Sequence, residues 1–342
     1  MTTPKGDQIL LNVEGLRKHF PITKGLLRQT VGHVKAVDDV SFQVRKGETL
    51  GVVGESGCGK TTMGLSIVHL IQPTRGRIQL NDNGTWVEVN SKTIRHLRDK
   101  MQIVFQDPFS SLDPRMRIRD IVAEPLRAHG MRSRRQRYDR VESLLDAVGL
   151  GPHLMNRFPH EFSGGQRQRI RIARALSLNP SLVVCDEPVS ALDVSVQAQV
   201  LNLLDDLQKE FGLTYLFVAH DLSVVQHISD RVAVMYLGRI VEMAEVDQLF
   251  VHPKHPYTEA LLSAIPDPDP DIVGEQIILQ GDVPSPADPP PGCHFHPRCR
   301  YATERCRQEA PGLSDLDGAG HLVACHYAQD LDLTGVSRRA TA

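Results

Sequence analysis

Apolar positions in the first 250 residues form short runs that alternate with longer segments of helical period. Four of these runs, at residues 49–53, 101–105, 182–185 and 214–218, are largely apolar, as is typical of strands that helices cover on both faces. Strands that alternate with helices in this way predict an α/β fold built on a mostly parallel sheet.

Two further segments alternate apolar with polar positions or centre on a turn. Residues 34–44 show the alternation, which predicts an antiparallel strand with one exposed face. Residues 231–243, with Gly238 and Arg239 at their centre, predict a hairpin late in the main domain. We therefore expect an N-terminal antiparallel β subdomain beside the mostly parallel core.

A third kind of pattern lies between the second and third apolar runs. Residues 115–140 contain nine arginines and few strand signals, and residues 141–148 are amphipathic with a helical period. These features predict an inserted helical subdomain at about residues 107–178. A solvated helix face is the default explanation of the arginines, and a docking surface is the alternative.

The C-terminal part of the chain differs in composition from the rest. Nine prolines lie in residues 266–297, a composition that resists both helix and sheet interiors. We predict a main domain at residues 1–265, a proline-rich linker at 266–292 and a small cysteine-rich extension at 293–342.

Composition and charge narrow the class of protein. The 342 residues carry 39 Lys+Arg against 41 Asp+Glu, a formal net charge of -2, which disfavours a chain that coats nucleic acid through bulk positive charge. The longest stretch without Asp, Glu, Lys or Arg, at residues 61–74, is too short to span a bilayer. Residues 1–10 lack the apolar core of a secretion signal, so we expect a cytoplasmic protein.

A glycine-rich motif follows the apolar run at residues 49–53. Residues 54–61, called the phosphate loop below, fit the pattern G-x-x-x-x-G-K-[ST] and precede a helical segment. In such a loop the backbone N–H groups cradle phosphates, the lysine reaches the β- and γ-phosphates and the threonine hydroxyl binds Mg2+. The predicted nucleotide-binding residues are Gly54, Ser56, Gly57, Cys58, Gly59, Lys60, Thr61 and Thr62.

Two acids end the apolar run at residues 182–185. Ligands in open parallel sheets gather at the carboxyl ends of the strands, so Asp186 is placed to hold Mg2+ through water. Glu187 is placed to polarise the attacking water. Cys58 and Cys185 lie inside these motifs, and we interpret both as small packing residues.

A second predicted phosphate-facing helix start lies between these motifs. A serine hydroxyl and glycine amides open a helix at the signature segment, which consists of Ser163, Gly164, Gly165 and Gln166. This segment resembles the signature of the ATP-binding cassette (ABC) family of P-loop NTPases. The resemblance implies a head-to-tail dimer in which ATP lies between the phosphate loop of one subunit and the signature of the other.

The resemblance assigns roles to further residues. Gln106 resembles the glutamine that senses Mg2+ and the attacking water, so the implied Mg2+ set is Thr61, Gln106 and Asp186. His220 resembles the switch histidine at the γ-phosphate and joins Glu187 and Gln106 as a catalytic residue. Asp193 resembles the loop residue that crosses to the partner. Phe20, with His19 second, is the candidate for adenine stacking.

A finer resemblance covers almost the whole chain. Residues 105–108, 111–115 and 255–258, together with Leu261, Leu262 and the cysteine tail, resemble the ATPases of oligopeptide, dipeptide and nickel importers. Of the two ATPase types in those importers, residues 123–126 and 159–169 resemble the F type. Phe162 departs from the leucine that is commoner there.

This resemblance implies an ATPase that powers uptake of peptides, with nickel, glutathione or another small solute as alternatives. The implied partners are a second homologous ATPase forming a heterodimer, two integral membrane subunits and an extracytoplasmic solute-binding protein, with no nucleic acid. The implied place is the cytoplasmic face of the inner membrane, bound peripherally.

Four cysteines lie close together in the tail, at Cys293, Cys299, Cys306 and Cys325. Four thiols in a cytosolic chain suggest a metal, and no pair has the two-to-four-residue spacing usual in structural zinc sites. We therefore expect a [4Fe–4S] cluster, which the resemblance also implies, with Zn2+ and unligated or reversibly oxidised thiols as alternatives.

Two other functions remain as alternatives. One is a soluble ABC ATPase of DNA repair or translation, although the 57 residues from Gln106 to Ser163 leave no room for a long coiled-coil insertion. The other is a non-catalytic redox or metal-sensing module, against which the intact acids and phosphate loop argue.

Overall fold

The computed structural model describes residues 8–25, 29–105, 112–265, 276–316, 318 and 320–336. Within it the chain forms two compact units, each built from separate stretches of sequence. The first unit consists of Met1–Leu11, Val44–Thr49 and Leu80–Val218, and the second of Asn12–Gln43, Leu50–Gln79 and Ala219–Ala342.

Strands and helices alternate as the apolar pattern predicts, so the α/β class is confirmed. The strands are β1 (Ile9–Lys24), β2 (Gln29–Arg45), β3 (Thr49–Val53), β4 (Arg75–Asp82), β5 (Thr85–Glu88), β6 (Met101–Val104), β7 (Leu182–Asp186), β8 (Thr214–Val218), β9 (Arg231–Tyr236), β10 (Arg239–Glu245), β11 (Ser314–Asp315) and β12 (Leu322–Val323). The α-helices are α1 (Lys60–Ile67), α2 (Ile94–Leu97), α3 (Ile118–Ala128), α4 (Arg134–Ala147), α5 (Gly164–Ala175), α6 (Val194–Phe211), α7 (Leu222–Ile228), α8 (Val246–Val251), α9 (Pro256–Ser263) and α10 (Glu304–Gln308).

Three parallel strands organise the first unit. β6 pairs with β7 and β7 with β8, in a register that sets Met101 against Leu182 and Asp186 against Val218. Every residue of β7 and β8 is buried, as the apolar runs predict for doubly covered strands. Helices α3, α4 and α5 pack against one another in the same unit. Because the strands are parallel, their carboxyl ends lie at one edge, where β7 ends at Asp186 and Glu187 follows it.

The second unit contains a mixed sheet. β3 pairs with β9 in parallel, and β9 pairs with β10 as the antiparallel hairpin expected around Gly238 and Arg239. All five residues of β3 are buried. A buried strand of this kind holds the start of the phosphate loop in place.

The N-terminal strands β1 and β2 run antiparallel. The Lys46 N–H donates to the Gln8 carbonyl, the Gln43 amide to the Asn12 side chain and the Gly15 N–H to the Ser41 hydroxyl. Because residue numbers fall along one strand as they rise along the other, the two directions are opposite. The alternation at residues 34–44 predicts this strand; β1 itself was not predicted.

The two C-terminal strands continue the mixed sheet of the second unit. The two residues of β12 pair with Glu242 and Met243 of β10, and β11 pairs with β12. The ring Nε2 of His321 lies 2.6 Å from a carboxylate oxygen of Glu242, and both side chains are almost fully buried. Among the described residues, no helix is both long enough and apolar enough to cross a membrane.

Candidate active site

The phosphate loop leaves β3 through backbone conformations that only glycine adopts easily. Gly54 and Gly59 have φ angles of 150° and 109°. A Cβ atom at Gly54 would lie 2.1 Å from the carbonyl oxygen of Met235, and one at Gly59 would lie 2.0 Å from that of Ala36. The loop therefore requires glycine at both positions, because it lies directly against neighbouring backbone.

The side chain of Lys60 is held inside this loop. It is 5% exposed, and its Nζ donates to the carbonyl oxygens of Gly54 at 2.7 Å and Glu55 at 3.0 Å. A lysine ammonium is a compact point charge that can donate hydrogen bonds to phosphate oxygens.

The helix after the loop begins without a side-chain cap. The N-cap of α1 is Gly59, which has no side chain to accept from the first N–H groups. Such N–H groups and the positive end of the helix favour an anion. Thr61, in the first turn of α1, has an exposed side chain. That the loop residues bind phosphate stays a prediction.

His220 follows β8 and belongs to the second unit, together with the phosphate loop. The backbone N–H of its neighbour Ala219 donates to the carbonyl of Val52 in β3 at 3.1 Å. His220 itself is exposed. This places the segment of His220 beside the strand that leads into the phosphate loop.

Glu55, a position that the motif leaves unspecified, has two partners that sequence reasoning missed. The hydroxyl of Tyr257 accepts from its backbone N–H at 2.9 Å, and Arg298 binds its carboxylate through two nitrogens at 2.7 and 3.0 Å. Glu55 and Arg298 are 243 positions apart, so no local pattern pointed to the pair.

The two predicted acids lie at the end of β7 in the first unit. Asp186 is 4% exposed and is the last residue of the strand. Glu187 has a φ of 46°, a left-handed conformation that costs a non-glycine residue about 1 kcal/mol or more, and its N–H donates to Val218 at 2.9 Å. Glu187 therefore leaves the strand through a left-handed turn that is fixed by the bond to Val218.

Cys58 and Cys185 are both buried, and burial raises the pKa of each thiol, to about 12 for Cys185. A thiol whose pKa is raised by burial is a poor nucleophile. The interpretation of both as packing residues agrees with this environment.

The signature segment opens α5 with a reciprocal cap. Ser163 Oγ accepts from the Gln166 N–H at 3.3 Å, and the Gln166 side chain accepts from the Ser163 N–H at 3.0 Å. Ser163 is exposed at this helix start. Gly165 packs so closely on α6 that an added Cβ would lie 2.4 Å from Cγ1 of Val196. The signature segment therefore presents a serine on a helix end fixed by packing.

Asp193 caps the adjoining helix α6. Its carboxylate accepts from the Val196 N–H at 2.9 Å and the Ser195 hydroxyl at 2.7 Å, and these bonds lower its pKa. The next residue, Val194, is 82% exposed. In this unit the structure thus brings the signature segment and the predicted crossing loop together through Gly165 and Val196.

Phe20 and His19, the candidates for adenine stacking, lie on β1. The ammonium of Lys18 lies 4.8 Å from the centre of the Phe20 ring, and His19 Nε2 lies 3.0 Å from the carboxylate of Asp38. The ring of Phe20 thus already engages a cation, whereas His19 is tied to a carboxylate. Adenine stacking on Phe20 stays a prediction. Gln106 lies outside the described residues.

The prediction of an iron–sulfur cluster in the tail is wrong. Among the residues that the structure describes, no group of three or more His, Cys, Asp or Glu side chains is arranged to hold a metal ion, so zinc has no support either. The four tail cysteines are free and line one cavity of about 20 Å³, a space for about one water molecule. Burial raises the pKa of Cys299 to about 12 and of Cys325 to about 11.

Magnesium is a different case. Mg2+ is usually bound by one or two protein oxygens together with waters and substrate phosphates, and needs no cage of three side chains. Thr61 supplies an exposed hydroxyl, and Asp186 a carboxylate at a strand end. Each of the two is a hard oxygen donor of the kind that Mg2+ binds.

Comparisons with known proteins agree with the motifs. The family model described as ABC transporter matches residues 37–190, and that described as Oligopeptide/dipeptide transporter, C-terminal region, matches residues 241–306. The chain is similar to the oligopeptide transport ATP-binding protein AppF of Bacillus subtilis, with 52% identity over 95% of this chain and 99% of that protein. It is also 52% identical to the dipeptide transport ATP-binding protein DppF of Haemophilus influenzae, over 93% of this chain and 96% of that one.

A solved structure gives the same result. The ATP-binding cassette MJ0796, in a dimeric post-hydrolysis state with ADP and Pi, is similar with a TM-score of 0.59 and 27% identity over 69% of this chain and 99% of that one. The chain therefore belongs to the ABC transporter family, among its oligopeptide and dipeptide transport ATP-binding proteins.

Proposed function

We propose that this chain is the ATP-hydrolysing subunit of an importer that takes up oligopeptides or dipeptides through separate membrane subunits. The observation that carries this proposal is the 52% identity to a named oligopeptide transport ATP-binding protein along 95% of the chain, including the C-terminal region. The relatives named above are transport proteins, which favours this function over DNA repair or translation.

The chemistry consists mainly of positioning and charge stabilisation. In this proposal the N–H groups of the phosphate loop and Lys60 bind the phosphates of ATP. Thr61, Asp186 and Gln106 hold Mg2+, which neutralises charge that develops on the phosphates. Glu187 orients the attacking water and accepts its proton, as its position at the end of β7 allows.

We also propose that His220 contacts the γ-phosphate and that Phe20 stacks on adenine. The signature segment then acts on ATP bound by a second, homologous ATPase, and Asp193 lies at the contact between the two. The exposed serine of the capped α5 and the 82% exposed Val194 support an interface on this face of the first unit.

A basic cavity of about 440 Å³ in the first unit supports docking to a membrane subunit. Its two acids are already engaged, since Asp120 accepts from the Tyr138 hydroxyl at 2.8 Å and Glu124 pairs with Arg174 at 2.7 Å. We propose that an acidic segment of a membrane subunit binds here, at the inner face of the membrane. Five arginines line the cavity: Arg115, Arg117, Arg119, Arg127 and Arg137.

The proposed function is tested by reconstitution into vesicles. The chain, the second ATPase and the two membrane subunits are purified together, and uptake of a labelled dipeptide or tripeptide is measured with the binding protein outside. We expect uptake that needs MgATP inside and stops with Lys60→Ala. Uptake of nickel or glutathione but not of peptides would replace the proposed substrate, and ATP turnover without any uptake would contradict the transport role.

A further inference from the structure

The C-terminal extension reaches the phosphate loop through one ion pair. Arg298 ends a short 3-10 helix, His296–Arg298, and its two terminal nitrogens donate to the two carboxylate oxygens of Glu55 at 2.7 and 3.0 Å. The Arg298 side chain is 7% exposed and that of Glu55 is 26% exposed. Two parallel charge-assisted hydrogen bonds of this kind fix geometry more tightly than a single contact does.

The backbone of Glu55 is held from the same side. Its N–H donates to the hydroxyl of Tyr257, a fully buried residue of α9, at 2.9 Å. The Tyr257 ring packs against those of Tyr236 and Phe295, with centroids 4.7 and 5.3 Å away. This aromatic cluster leaves the hydroxyl little freedom, so Glu55 is fixed both at its backbone and at its carboxylate.

The residue held in this way also holds Lys60. The carbonyl oxygen of Glu55 accepts from Lys60 Nζ at 3.0 Å, beside the bond to the Gly54 carbonyl. We propose that Arg298 is a positioning residue of the ATP site: together with Tyr257 it fixes Glu55, and through Glu55 it fixes the phosphate loop and Lys60. The inference rests on the nucleotide site proposed above and extends it to the C-terminal extension.

Two of the groups in the contact keep their protons at neutral pH. The hydrogen bond to Glu55 raises the pKa of the Arg298 guanidinium, and burial raises the pKa of the Tyr257 hydroxyl. The motif G-x-x-x-x-G-K-[ST] leaves the position of Glu55 free, so phosphate binding alone does not demand a carboxylate there.

The expected effect is on affinity rather than on chemistry. The two terminal nitrogens of Arg298 bind the Glu55 carboxylate, so we expect this side chain to act through the phosphate loop rather than on the reacting atoms. Without this contact, ATP itself must order the phosphate loop. The cost of that ordering weakens the binding of ATP and of the transition state by the same amount. The KM for MgATP therefore rises while kcat stays nearly constant.

The test uses the full chain in its assembled complex, with ATP turnover measured against MgATP concentration. For Arg298→Ala we expect a KM about tenfold higher and a kcat within about twofold of the unmodified protein. Arg298→Lys keeps the positive charge but loses the planar group that binds the carboxylate through two nitrogens. Its KM should therefore lie between those of the unmodified protein and Arg298→Ala. The matched control is Arg300→Ala, which removes the neighbouring pair with Glu259 (3.0 Å) and leaves the phosphate loop alone; its KM should not change.

A double-mutant cycle separates positioning from general stability. Because Arg298 acts through Glu55, Arg298→Ala combined with Glu55→Gln should raise KM no further than the larger single change. If the KM increase of the double variant equals the product of the two single increases, the proposal is overturned. An Arg298→Ala protein with unchanged KM would also overturn it.

The unmodified protein and a second substitution complete the design. Absence of turnover in the unmodified complex would refute the proposed function and not the positioning role of Arg298. Should Arg298→Ala fail to fold, Tyr257→Phe removes only the hydroxyl that binds the Glu55 N–H, and an unchanged KM for that variant would then overturn the proposal.

Discussion

Gly165 of the signature segment offers a quantitative test of the packing between α5 and α6. Its backbone is helical, so alanine there gains up to about 1 kcal/mol of helix propensity. The added Cβ would, however, lie 2.4 Å from Cγ1 of Val196, closer than carbon atoms approach in proteins. Val196 is β-branched and has few alternative side-chain rotamers in a helix. Overpacking costs about 1–3 kcal/mol, so Gly165→Ala should lower the free energy of unfolding by about 1 kcal/mol.

The assay is urea unfolding followed by circular dichroism, with Val196→Ala as the compensating change. Removal of the Val196 methyl groups leaves room for the new Cβ, so the Gly165→Ala/Val196→Ala double variant should be more stable than the sum of the two single changes predicts. A Gly165→Ala protein at least as stable as the unmodified one would refute the contact. Gly165→Ala should also lower ATP turnover in the complex. An unchanged rate would show that the signature segment does not lie close to ATP.

Three further predictions concern the site and its stability. Lys60→Ala should reduce ATP turnover by more than about 100-fold. Glu187→Gln should bind ATP normally and prolong the lifetime of the closed dimer. If Glu187→Gln hydrolyses ATP as fast as the unmodified protein, Glu187 has no catalytic role. Burial lowers the pKa of His255 to about 3, so between about pH 6.5 and pH 3 the unfolded chain binds one proton more than the folded chain. The free energy of unfolding should therefore fall as the pH drops through this window, by up to about 1.4 kcal/mol per pH unit. Urea titrations at several pH values should show a smaller slope for His255→Asn. EDTA should stop turnover and excess Mg2+ restore it, while anaerobically purified protein should lack iron and acid-labile sulfide; a stoichiometric cluster would contradict the structure.

The strands that the sequence predicted well are those with continuous apolar runs. Residues 49–53 and 214–218 match β3 and β8 because every side chain of each is buried. β1 was missed although it has 16 residues, since polar and partly exposed positions break its pattern. β12 has only two residues, so its pairing with β10 depends on tertiary contacts and leaves no periodicity.

In the site too, contiguous motifs could be predicted from the sequence and contacts between distant residues could not. The phosphate loop, the acids after β7 and the capped signature segment are contiguous motifs whose chemistry follows from neighbouring residues. The contact of Glu55 with Arg298 joins residues 243 positions apart, and nothing local encodes it. The roles of all the predicted site residues, Gln106 and Phe20 among them, and the boundaries at residues 265 and 292 stay predictions.

The cysteine tail shows how spacing can mislead. Four thiols within 33 residues suggested a metal, yet spacing fixes neither the direction of a thiol nor the size of the space between thiols. The four cysteines line one cavity, yet among the described residues no group of three or more His, Cys, Asp or Glu side chains is arranged to hold a metal ion.

The central claim is that ATP is hydrolysed only between a phosphate loop and the signature of a second subunit, and Ser163→Asp tests it most directly. Aspartate caps a helix as well as serine does, so α5 should keep its stability. The new carboxylate would repel the γ-phosphate. The decisive measurement is ATP turnover by the assembled complex that carries this change and its equivalent in the second ATPase. The account predicts a loss of turnover of at least about 100-fold with an unchanged melting temperature; full turnover would contradict it.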